Sequence, residues 1–178
     1  MSLSGSCLCG QINLTISSEP MMAGVCHCKN CQKQTGSAFS TLAGFPLSDI
    51  DFGDSKLSMY EDSATESGSV VKRFFCGKCG SPIYSQVPAQ PDTAYLKTGI
   101  LDDTSSFKPM FNLWCDSKQD WVTLDESIPA IWVGGDDNFD LFIRASSPLG
   151  AYVYSFKKGR LFAYQRRSYG GASKTKYY

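Results

Sequence analysis

Apolar and polar residues alternate along several short stretches of the chain. Between residues 11 and 16, Ile12, Leu14 and Ile16 fall on one side, and Asn13 and Thr15 fall on the other. A period of two is typical of a half-buried β-strand. Similar patterns predict further strands at residues 38–45, 70–75, 83–87, 94–98, 110–114 and 131–133.

Proline- and glycine-containing breaks separate these runs at short intervals, as in Phe52-Gly53-Asp54 and Ser81-Pro82. Helical periodicity is confined to two short stretches, residues 28–35 and 121–126. Many short strands with frequent turns favour a mainly β domain of the sandwich or barrel kind with few short helices. Near the C-terminus, residues 152–156 and 161–164 flank a Gly-containing turn and predict a hairpin, followed by a frayed end from Ser168.

The composition is that of a globular protein. Of the 178 residues, 42% are hydrophobic and 19% are charged, which is enough apolar surface for one packed domain with an additional element. No apolar run approaches the roughly 18 residues of a membrane span, and the first residues lack the basic and apolar regions of a signal peptide. We therefore expect a cytoplasmic protein without membrane association.

The formal net charge of zero conceals an uneven distribution. Residues 1–140 carry 9 Lys or Arg and all 17 Asp and Glu, a net charge of −8, whereas residues 141–178 carry 8 bases and no acid. This pattern predicts an acidic body, and we place its boundary with a basic, Tyr-rich extension near Gly134-Gly135, so that the body covers residues 1–133 and the extension residues 134–178. Docking of the extension on the acidic body, or its exposure to solvent, is favoured over contact with nucleic acid and over an altered reading of the 3′ end of the gene.

Eight cysteines, mostly in close pairs, are the strongest chemical signal. In a reducing cytosol, such pairs are more typical of metal ligands or catalytic thiols than of disulfides. Cys76-Gly-Lys-Cys79-Gly80 has the form of a zinc knuckle, in which two thiolates converge on one ion and the glycine permits a sharp turn. Cys7 and Cys9 would point the same way on a strand and could present two more sulfur atoms.

Seven clustered thiols cannot fill two tetrahedral sites. Cys26, Cys28 and Cys31 form a natural three-ligand unit within one short loop, which leaves Cys7, Cys9, Cys76 and Cys79 for a closed structural site. An open fourth position is what catalytic zinc sites retain. Spacing alone does not prove this partition. One structural zinc with reduced bystander thiols, or disulfides, are the alternatives.

Two further residues invite interpretation. Cys115 lies in the apolar run 111–115, which favours a buried core thiol over a fourth ligand or a redox thiol. His27 is the only histidine and lies between two candidate ligands. If Cys26 and Cys28 face a metal in an extended segment, the His27 side chain points away from it, beside the site or at the surface.

Three cysteine motifs in this order resemble the glutathione-dependent formaldehyde-activating enzyme family, also known as the GFA/CENP-V family. The motifs are Gly5-Ser-Cys-Leu-Cys-Gly10, Cys26-His-Cys-Lys-Asn-Cys31 leading into Gly36-Ser-Ala-Phe39, and Phe75-Cys-Gly-Lys-Cys-Gly-Ser-Pro-Ile-Tyr84. Weaker similarity occurs at residues 96–103, at Phe107 and Pro109, and at Trp121. The resemblance covers about residues 5–131, most of the chain.

The resemblance implies an Mss4-like β-tent fold and two Zn²⁺ ions per chain. It implies a structural zinc on Cys7, Cys9, Cys76 and Cys79, and a catalytic zinc on Cys26, Cys28 and Cys31. The reaction it implies is the reversible condensation of glutathione with formaldehyde to S-hydroxymethylglutathione, a carbon–sulfur lyase activity. Asn112 stands where relatives often carry a histidine, and the basic extension is outside the family pattern.

The chemistry of a three-thiolate site fits that activity. Three thiolates on Zn²⁺ leave a net charge of −1, so the ion ionises water only modestly, and an external thiol that attacks an aldehyde is the better substrate. Lys29 and Lys33 are the nearest bases in sequence for the carboxylates of glutathione, although solvated surface lysines are the simpler interpretation. The sequence does not define substrate contacts or the oligomeric state.

Two other function classes remain open at this point. A zinc-stabilised binding module for a protein or chromatin partner would need only the closed site. A methionine sulfoxide reductase with Cys115 as the nucleophile would leave the 26–31 motif unexplained.

Overall fold

β-Strands form most of the regular structure in the computed structural model, which describes residues 2–131, 143–147, 150–157 and 160–165. One α-helix, α1 (Lys29–Thr35), and three short 3₁₀ segments accompany the strands of the described residues. The strands are β1 Leu3–Ser6, β2 Asn13–Ile16, β3 Met22–Cys26, β4 Ser40–Pro46, β5 Ile50–Asp51, β6 Leu57–Asp62, β7 Val71–Cys76, β8 Pro82–Val87, β9 Gln90–Lys97, β10 Asn112–Leu113, β11 Ala130–Ile131, β12 Ile143–Ser147, β13 Gly150–Lys157 and β14 Arg160–Gln165. The prediction of a mainly β fold with few short helices is confirmed.

The strands form two sheets. The small sheet has the order β1-β2-β5, and the large sheet has the order β14-β13-β12-β11-β10-β3-β4-β9-β8-β7-β6. Neighbouring strands are antiparallel, except that β10 runs parallel to both β3 and β11. The large sheet therefore places the end of β3 beside β10 and β4, at the point where the segment 26–31 begins.

The main core lies between the small sheet and one face of the large sheet. Ile12, Leu14 and Ile16 are buried from the small sheet, as their period of two predicts, and they belong to one cluster with Phe45 and Leu96. Burial of these side chains contributes about 1.5–3 kcal/mol each to folding. This cluster includes Cys7 and Cys76, so the four separated cysteines border the main core.

The opposite face of the large sheet carries the second cluster. Leu42 of β4 and Lys97 of β9 are cross-strand neighbours, and residues that alternate with them, such as Ala43 and Leu96, face the main core. Leu42 packs with Cys26, Cys28 and Cys31 in a separate cluster. The two groups of cysteines therefore lie on opposite sides of the large sheet.

Helix α1 is short and has well-defined ends. Cys28 is its N-cap, and the Cys28 sulfur accepts a hydrogen bond from the backbone N–H of Cys31. Gly36 ends the helix in the left-handed region, with φ of 61°, and its N–H bonds to the carbonyl of Gln32. A side chain at this position would be strained, which explains why the helix stops there.

The helix predicted at 121–126 is wrong. Val122 donates to the carbonyl of Gln119 and Ile128 donates to the carbonyl of Asp125, which are turn contacts that no helical ladder continues. Trp121 is 72% exposed, so this segment has no apolar stripe to bury against the sheet. The strands β1, β3, β5, β6 and β12 were not predicted.

The C-terminal strands extend the large sheet from β11. β12 pairs with β11, and β13 pairs with β14, with Lys157 opposite Arg160. The division of the chain at residues 133 and 134 stays a prediction, and the end expected to fray from Ser168 lies outside the described residues. No helix among the described residues is long and apolar enough to cross a membrane.

Candidate metal centres

Four cysteine sulfur atoms from two distant segments meet beside the main core. The Sγ atoms of Cys7, Cys9, Cys76 and Cys79 all lie within 4.8 Å of one another. The Cys9 Sγ lies 3.6 Å from the Cys7 Sγ and 3.8 Å from the Cys76 Sγ. The structure thus brings together the four cysteines that were predicted to share a site.

Two turns of similar form present these sulfur atoms. The turn after β1 holds Cys7 and Cys9, and the Gly10 N–H bonds to the Cys7 carbonyl at 2.9 Å. At the end of β7, the Gly80 N–H bonds to the Cys76 carbonyl at 2.8 Å. Both glycines have positive φ, 71° and 75°, which favours glycine. The expectation that Cys7 and Cys9 lie on an extended strand is wrong, because a turn follows β1 there. This turn brings the two sulfur atoms together.

Hydrogen bonds to Cys7 and Cys79 favour the thiolate forms of these two residues, whereas neighbouring thiols raise the pKa of Cys9. The backbone N–H of Ile12 donates to the Cys7 Sγ at 3.2 Å. The Ser81 hydroxyl lies 3.2 Å from the Cys79 Sγ, and bonds from the side chain and backbone of Ser81 lower the pKa of Cys79 to about 5. Such donors are the usual support of metal-ligating thiolates.

The donor set and its spacing fit a tetrahedral zinc ion. Zn–S bonds of about 2.3 Å in a tetrahedron place neighbouring sulfur atoms about 3.8 Å apart. The two Sγ–Sγ distances given above, 3.6 and 3.8 Å, agree with that value. Four soft thiolate donors with no open position are typical of a structural zinc site.

Three other sulfur atoms converge on the opposite side of the large sheet. Cys26 ends β3, Cys28 caps α1 and Cys31 lies in its first turn, and the three Sγ atoms lie within 4.8 Å of one another. We call these residues the triad. The Cys31 N–H donates to the Cys28 Sγ at 3.3 Å. All three residues are buried, so the triad has the donors for three corners of a tetrahedron in a site sheltered from water.

Apolar side chains enclose the triad. Leu42 is buried against it, and the partly buried side chains packed on the same cluster are Met22, Tyr95, Leu113 and Trp114. A low local dielectric strengthens electrostatic interactions in such a site. Charges near the triad therefore matter more than charges on the surface.

Two buried cations, Arg73 and Lys97, lie beside the triad. Hydrogen bonds with Cys26 and Cys28 lower the pKa of Cys31, and the positive charges of Lys97 and Arg73 lower it further against the effect of burial. The same thiol contacts raise the pKa of Cys26 well above its usual value. The contacts within the triad and the two nearby cations thus favour negative charge on Cys31 over Cys26.

Arg73 has a carboxylate partner. Its Nε and Nη2 atoms each lie 2.7 Å from the Asp62 Oδ2, and its Nη1 donates to the Gln34 Oε1 at 2.9 Å. Asp62 also accepts from the Asn30 side chain at 3.0 Å. This network ties both ends of α1 to strands β6 and β7, which fixes the helix that presents Cys28 and Cys31.

The start of α1 has a second anchor in the loop after β6. The Lys29 N–H donates to the Glu66 Oε2 at 3.2 Å, and the Glu66 N–H donates to the Asn30 Oδ1 at 3.3 Å. The Ser117 hydroxyl donates to the other oxygen of Glu66 at 3.0 Å. A carboxylate at a helix N-terminus satisfies backbone N–H groups that the helix leaves unpaired.

Lys29 and Lys33, the lysines nearest to the triad in sequence, are not the bases that act on it. The Lys29 Nζ donates to the Ser117 carbonyl at 2.9 Å, and Lys33 lies in the last turn of α1. Arg73 and Lys97, which sequence reasoning missed, are the bases that act on the triad. They arise from strands that are far from residues 26–31 in the chain.

His27 is buried beside the triad and is outside the set of clustered ligand atoms. Its Nε2 lies 3.2 Å from the Asn112 Oδ1, and its ring meets that of Phe39 edge to face. Burial lowers the pKa of His27, which favours the neutral ring. A surface position, one of the two expected, is wrong because β10 covers the histidine.

Cys115 is a core thiol, as its apolar context predicts. It is 1% exposed, and its Sγ donates to the Asn112 carbonyl at 3.6 Å. Burial raises the pKa of Cys115 to about 11, so its thiolate is scarce near neutral pH. These properties argue against a role as a nucleophile.

Comparisons with known proteins give consistent similarities. Residues 2–117 match the family model described as the glutathione-dependent formaldehyde-activating enzyme. A curated Emericella nidulans protein, provisionally given that same name, is 26% identical over 86 residues, which cover 47% of this chain and 41% of the relative. The chain thus spans less than half of that relative's length. The family match includes both groups of cysteines.

A solved structure also resembles part of the chain. The crystal structure of a Rhodobacter sphaeroides protein is 24% identical and covers 58% of this chain and 91% of its own, with a TM-score of 0.45.

Proposed function

Because this chain belongs to the glutathione-dependent formaldehyde-activating enzyme family, we propose that it is a zinc-dependent carbon–sulfur lyase, or synthase, for thiol–aldehyde adducts. The substrates would be a small thiol such as glutathione and an aldehyde such as formaldehyde. The observation that supports this proposal is the buried triad, which supplies three thiol donors and leaves one tetrahedral position open.

The four-cysteine cluster would hold the structural zinc. Cys7 and Cys9 from the first turn, together with Cys76 and Cys79 from the second, complete a tetrahedron with no position for a substrate. The two turns are also linked by Ser81, whose hydroxyl accepts from the Leu8 N–H at 3.1 Å. We therefore expect the metal to contribute folding free energy directly.

The triad would hold the catalytic zinc through Cys26, Cys28 and Cys31. When bound there, zinc would supply a Lewis acid that lowers the pKa of a substrate thiol and makes its thiolate available near neutral pH. The enclosing side chains, such as Leu42 and Trp114, would limit access of water to the reacting groups.

The proposed reaction balances without an oxidant or reductant. The substrate sulfur donates an electron pair to the aldehyde carbon, the carbonyl π bond breaks, and the thiol proton ends on the oxygen. The product is an S-hydroxymethyl thioether, and the reverse reaction breaks the same carbon–sulfur bond. Positioning of both substrates beside the triad would contribute to the rate enhancement.

Two measurements on the intact protein test this proposal. We expect two zinc ions per chain in protein prepared without chelators, and formation of an adduct between glutathione and ¹³C-formaldehyde faster than in buffer alone, followed by NMR. One zinc per chain, or no acceleration with any of a panel of thiols and aldehydes, would instead favour a zinc-stabilised binding module.

Cysteine variants separate the two roles. Cys79→Ser should lose folded structure, because the structural zinc supports the core, whereas Cys31→Ser should keep the fold and lose thiol-dependent activity. Cys115→Ala is the matched control, since Cys115 lies outside both clusters, and it should retain two zinc ions and activity. Circular dichroism, metal content and the NMR assay distinguish these results. Equal loss of structure in the Cys79 and Cys31 variants would contradict the assignment.

A further inference from the structure

Lys97 is a buried base without a bonded partner among the described residues. It ends β9 with 5% of its surface exposed. Within the part of the chain that the structure describes, its ammonium group forms neither a hydrogen bond nor an ion pair. Burying an unpaired ammonium group is costly, so a retained one indicates a compensating charge nearby.

The register of the sheet places Lys97 on the side of the triad. Its cross-strand neighbour on β4 is Leu42, which packs directly against the three cysteines. The preceding residue, Leu96, faces the main core and is fully buried there. Lys97 therefore cannot reach the four-cysteine cluster, which borders that core.

The other charges at this face do not balance Lys97. Arg73 is itself a cation and is paired with Asp62 at 2.7 Å. Burial lowers the pKa of Lys97, and the negative charges that oppose this shift are those of Cys31, Cys26 and Cys28. The triad is thus the anionic group available to this lysine among the described residues.

We propose that Lys97 is the counter-ion of the triad, a positioning residue whose positive charge balances the metal-loaded three-thiolate centre. This inference rests on the proposed function, since it needs a divalent ion at the triad. Three thiolates and one divalent cation sum to −1, and Lys97 brings that sum to zero. When an anionic fourth ligand binds, the net charge of the whole centre is −1 with Lys97 and would be −2 without it.

Metal affinity tests the counter-ion role directly. Lys97→Met removes the charge with little change in length, Lys97→Arg retains the charge, and Lys72→Met makes the same change on an exposed residue of strand β7, which β8 separates from β9. Zinc affinity would be measured at pH 7.5 by competition with a chromogenic chelator. Cys31→Ser shows which of the two zinc ions belongs to the triad.

We expect Lys97→Met to weaken zinc binding at the triad by about tenfold to a hundredfold, because the charge acts at short range in a buried site. The zinc of the four-cysteine cluster should be unaffected, which also shows that the variant is folded. The zinc affinity of Lys97→Arg should remain within about threefold of that of the parent protein, and the zinc affinity of Lys72→Met should equal that of the parent protein. Unchanged zinc affinity in Lys97→Met would overturn the counter-ion role.

A pair of small thiols separates the counter-ion role from direct contact with a substrate carboxylate. In protein loaded with Co²⁺, 2-mercaptoethanol and mercaptoacetate both change the visible spectrum when their sulfur binds the metal. Lys97→Met should weaken the binding of both thiols by a similar factor, since each thiol adds one negatively charged sulfur atom to the centre. Weakening of mercaptoacetate alone would show that Lys97 binds a carboxylate and would overturn the proposal. A single metal ion in the parent protein would instead remove the proposed function itself.

Discussion

The Asp62–Arg73 pair shows how single residues far from the cysteines determine the environment of the triad. Both side chains are more than nine-tenths buried and lie 2.7 Å apart. Asp62 also holds Asn30 in the first turn of α1. A charge in such a position is tolerated because its partner is present, so removal of one partner is more damaging than removal of both.

Asp62→Asn should therefore destabilise the protein by about 3 kcal/mol, because it leaves the Arg73 guanidinium buried without its counter-charge. The measurement is the free energy of unfolding in urea for the metal-loaded protein. Glu61→Gln is the control, since Glu61 is the adjacent residue of β6 and is exposed. A loss of less than about 1 kcal/mol in Asp62→Asn would show that solvent reaches the pair.

The cysteines could be predicted from sequence, whereas Arg73, Lys97 and Asp62 could not. Cysteine spacing constrains sulfur positions locally, because two thiols two residues apart need only one turn to converge. A charged residue in an alternating strand, by contrast, normally indicates the face that meets water. Here Arg73 and Lys97 are both buried on the side of the large sheet that carries α1 and the triad, so a charge in a strand does not mark the face that meets water.

At the scale of elements, the turn that carries Cys7 depends on close approach between β1 and the segment after β9. Gly5 pairs with Leu101 in an isolated bridge. A Cβ atom at position 5 would lie 2.6 Å from the Ile100 carbonyl oxygen and 3.2 Å from the Leu101 Cα. These are backbone atoms, so they cannot rotate away as a side chain would.

Gly5→Ala should separate β1 from this segment and destabilise the fold by about 1–3 kcal/mol. Zinc should also be lost more readily from the four-cysteine cluster, because Cys7 follows β1 directly. Thermal unfolding and chelator competition measure the two effects. Gly99→Ala is a suitable control, since a Cβ atom at that position would meet no atom of a non-adjacent residue within 4 Å. Equal stability of the two variants would contradict the importance of this contact.

Elements with strong alternation were predicted and those that depend on tertiary context were not. β2 has apolar residues at every second position, and β7 and β8 contain short runs of apolar and aromatic residues next to turn residues. β3 has the sequence Met-Ala-Gly-Val-Cys and lacks alternation, and it forms because β4 and β10 supply hydrogen-bonding partners on both sides. At 121–126, the local pattern suggested a helix, but Trp121 is exposed, and Val122 and Ile128 form turn contacts instead of a helical ladder.

At the scale of the whole molecule, the excess positive charge and the metal sites lie in different parts of the chain. Both cysteine clusters fall between residues 7 and 79, whereas the net charge of +8 is concentrated in residues 141–178. β12 pairs with β11, so the basic segment continues the large sheet from the side of β11 that is not occupied by β10. The metal sites and the basic segment therefore need not depend on each other.

A chain that ends at residue 133 should retain two zinc ions and unchanged thiol–aldehyde activity, because every residue assigned to the two centres precedes β11. Metal analysis, solubility and the NMR assay check this expectation. Loss of zinc or insolubility would show that the C-terminal strands belong to the core. DNA or RNA binding that is sensitive to salt and disappears on truncation would support the binding-module alternative.

The two clusters also differ in how much chain separates their ligands, and this matters during synthesis on the ribosome. The triad is complete once Cys31 has emerged, whereas the other cluster must wait for Cys76 and Cys79 and must close a loop across 67 residues. The entropy cost of closure grows with loop length, so the local site can bind an ion while the chain is still growing. We therefore expect a nascent chain to bind its first metal ion at the triad, before the four-cysteine cluster is complete. In the finished protein, the four-cysteine cluster binds its ion more tightly.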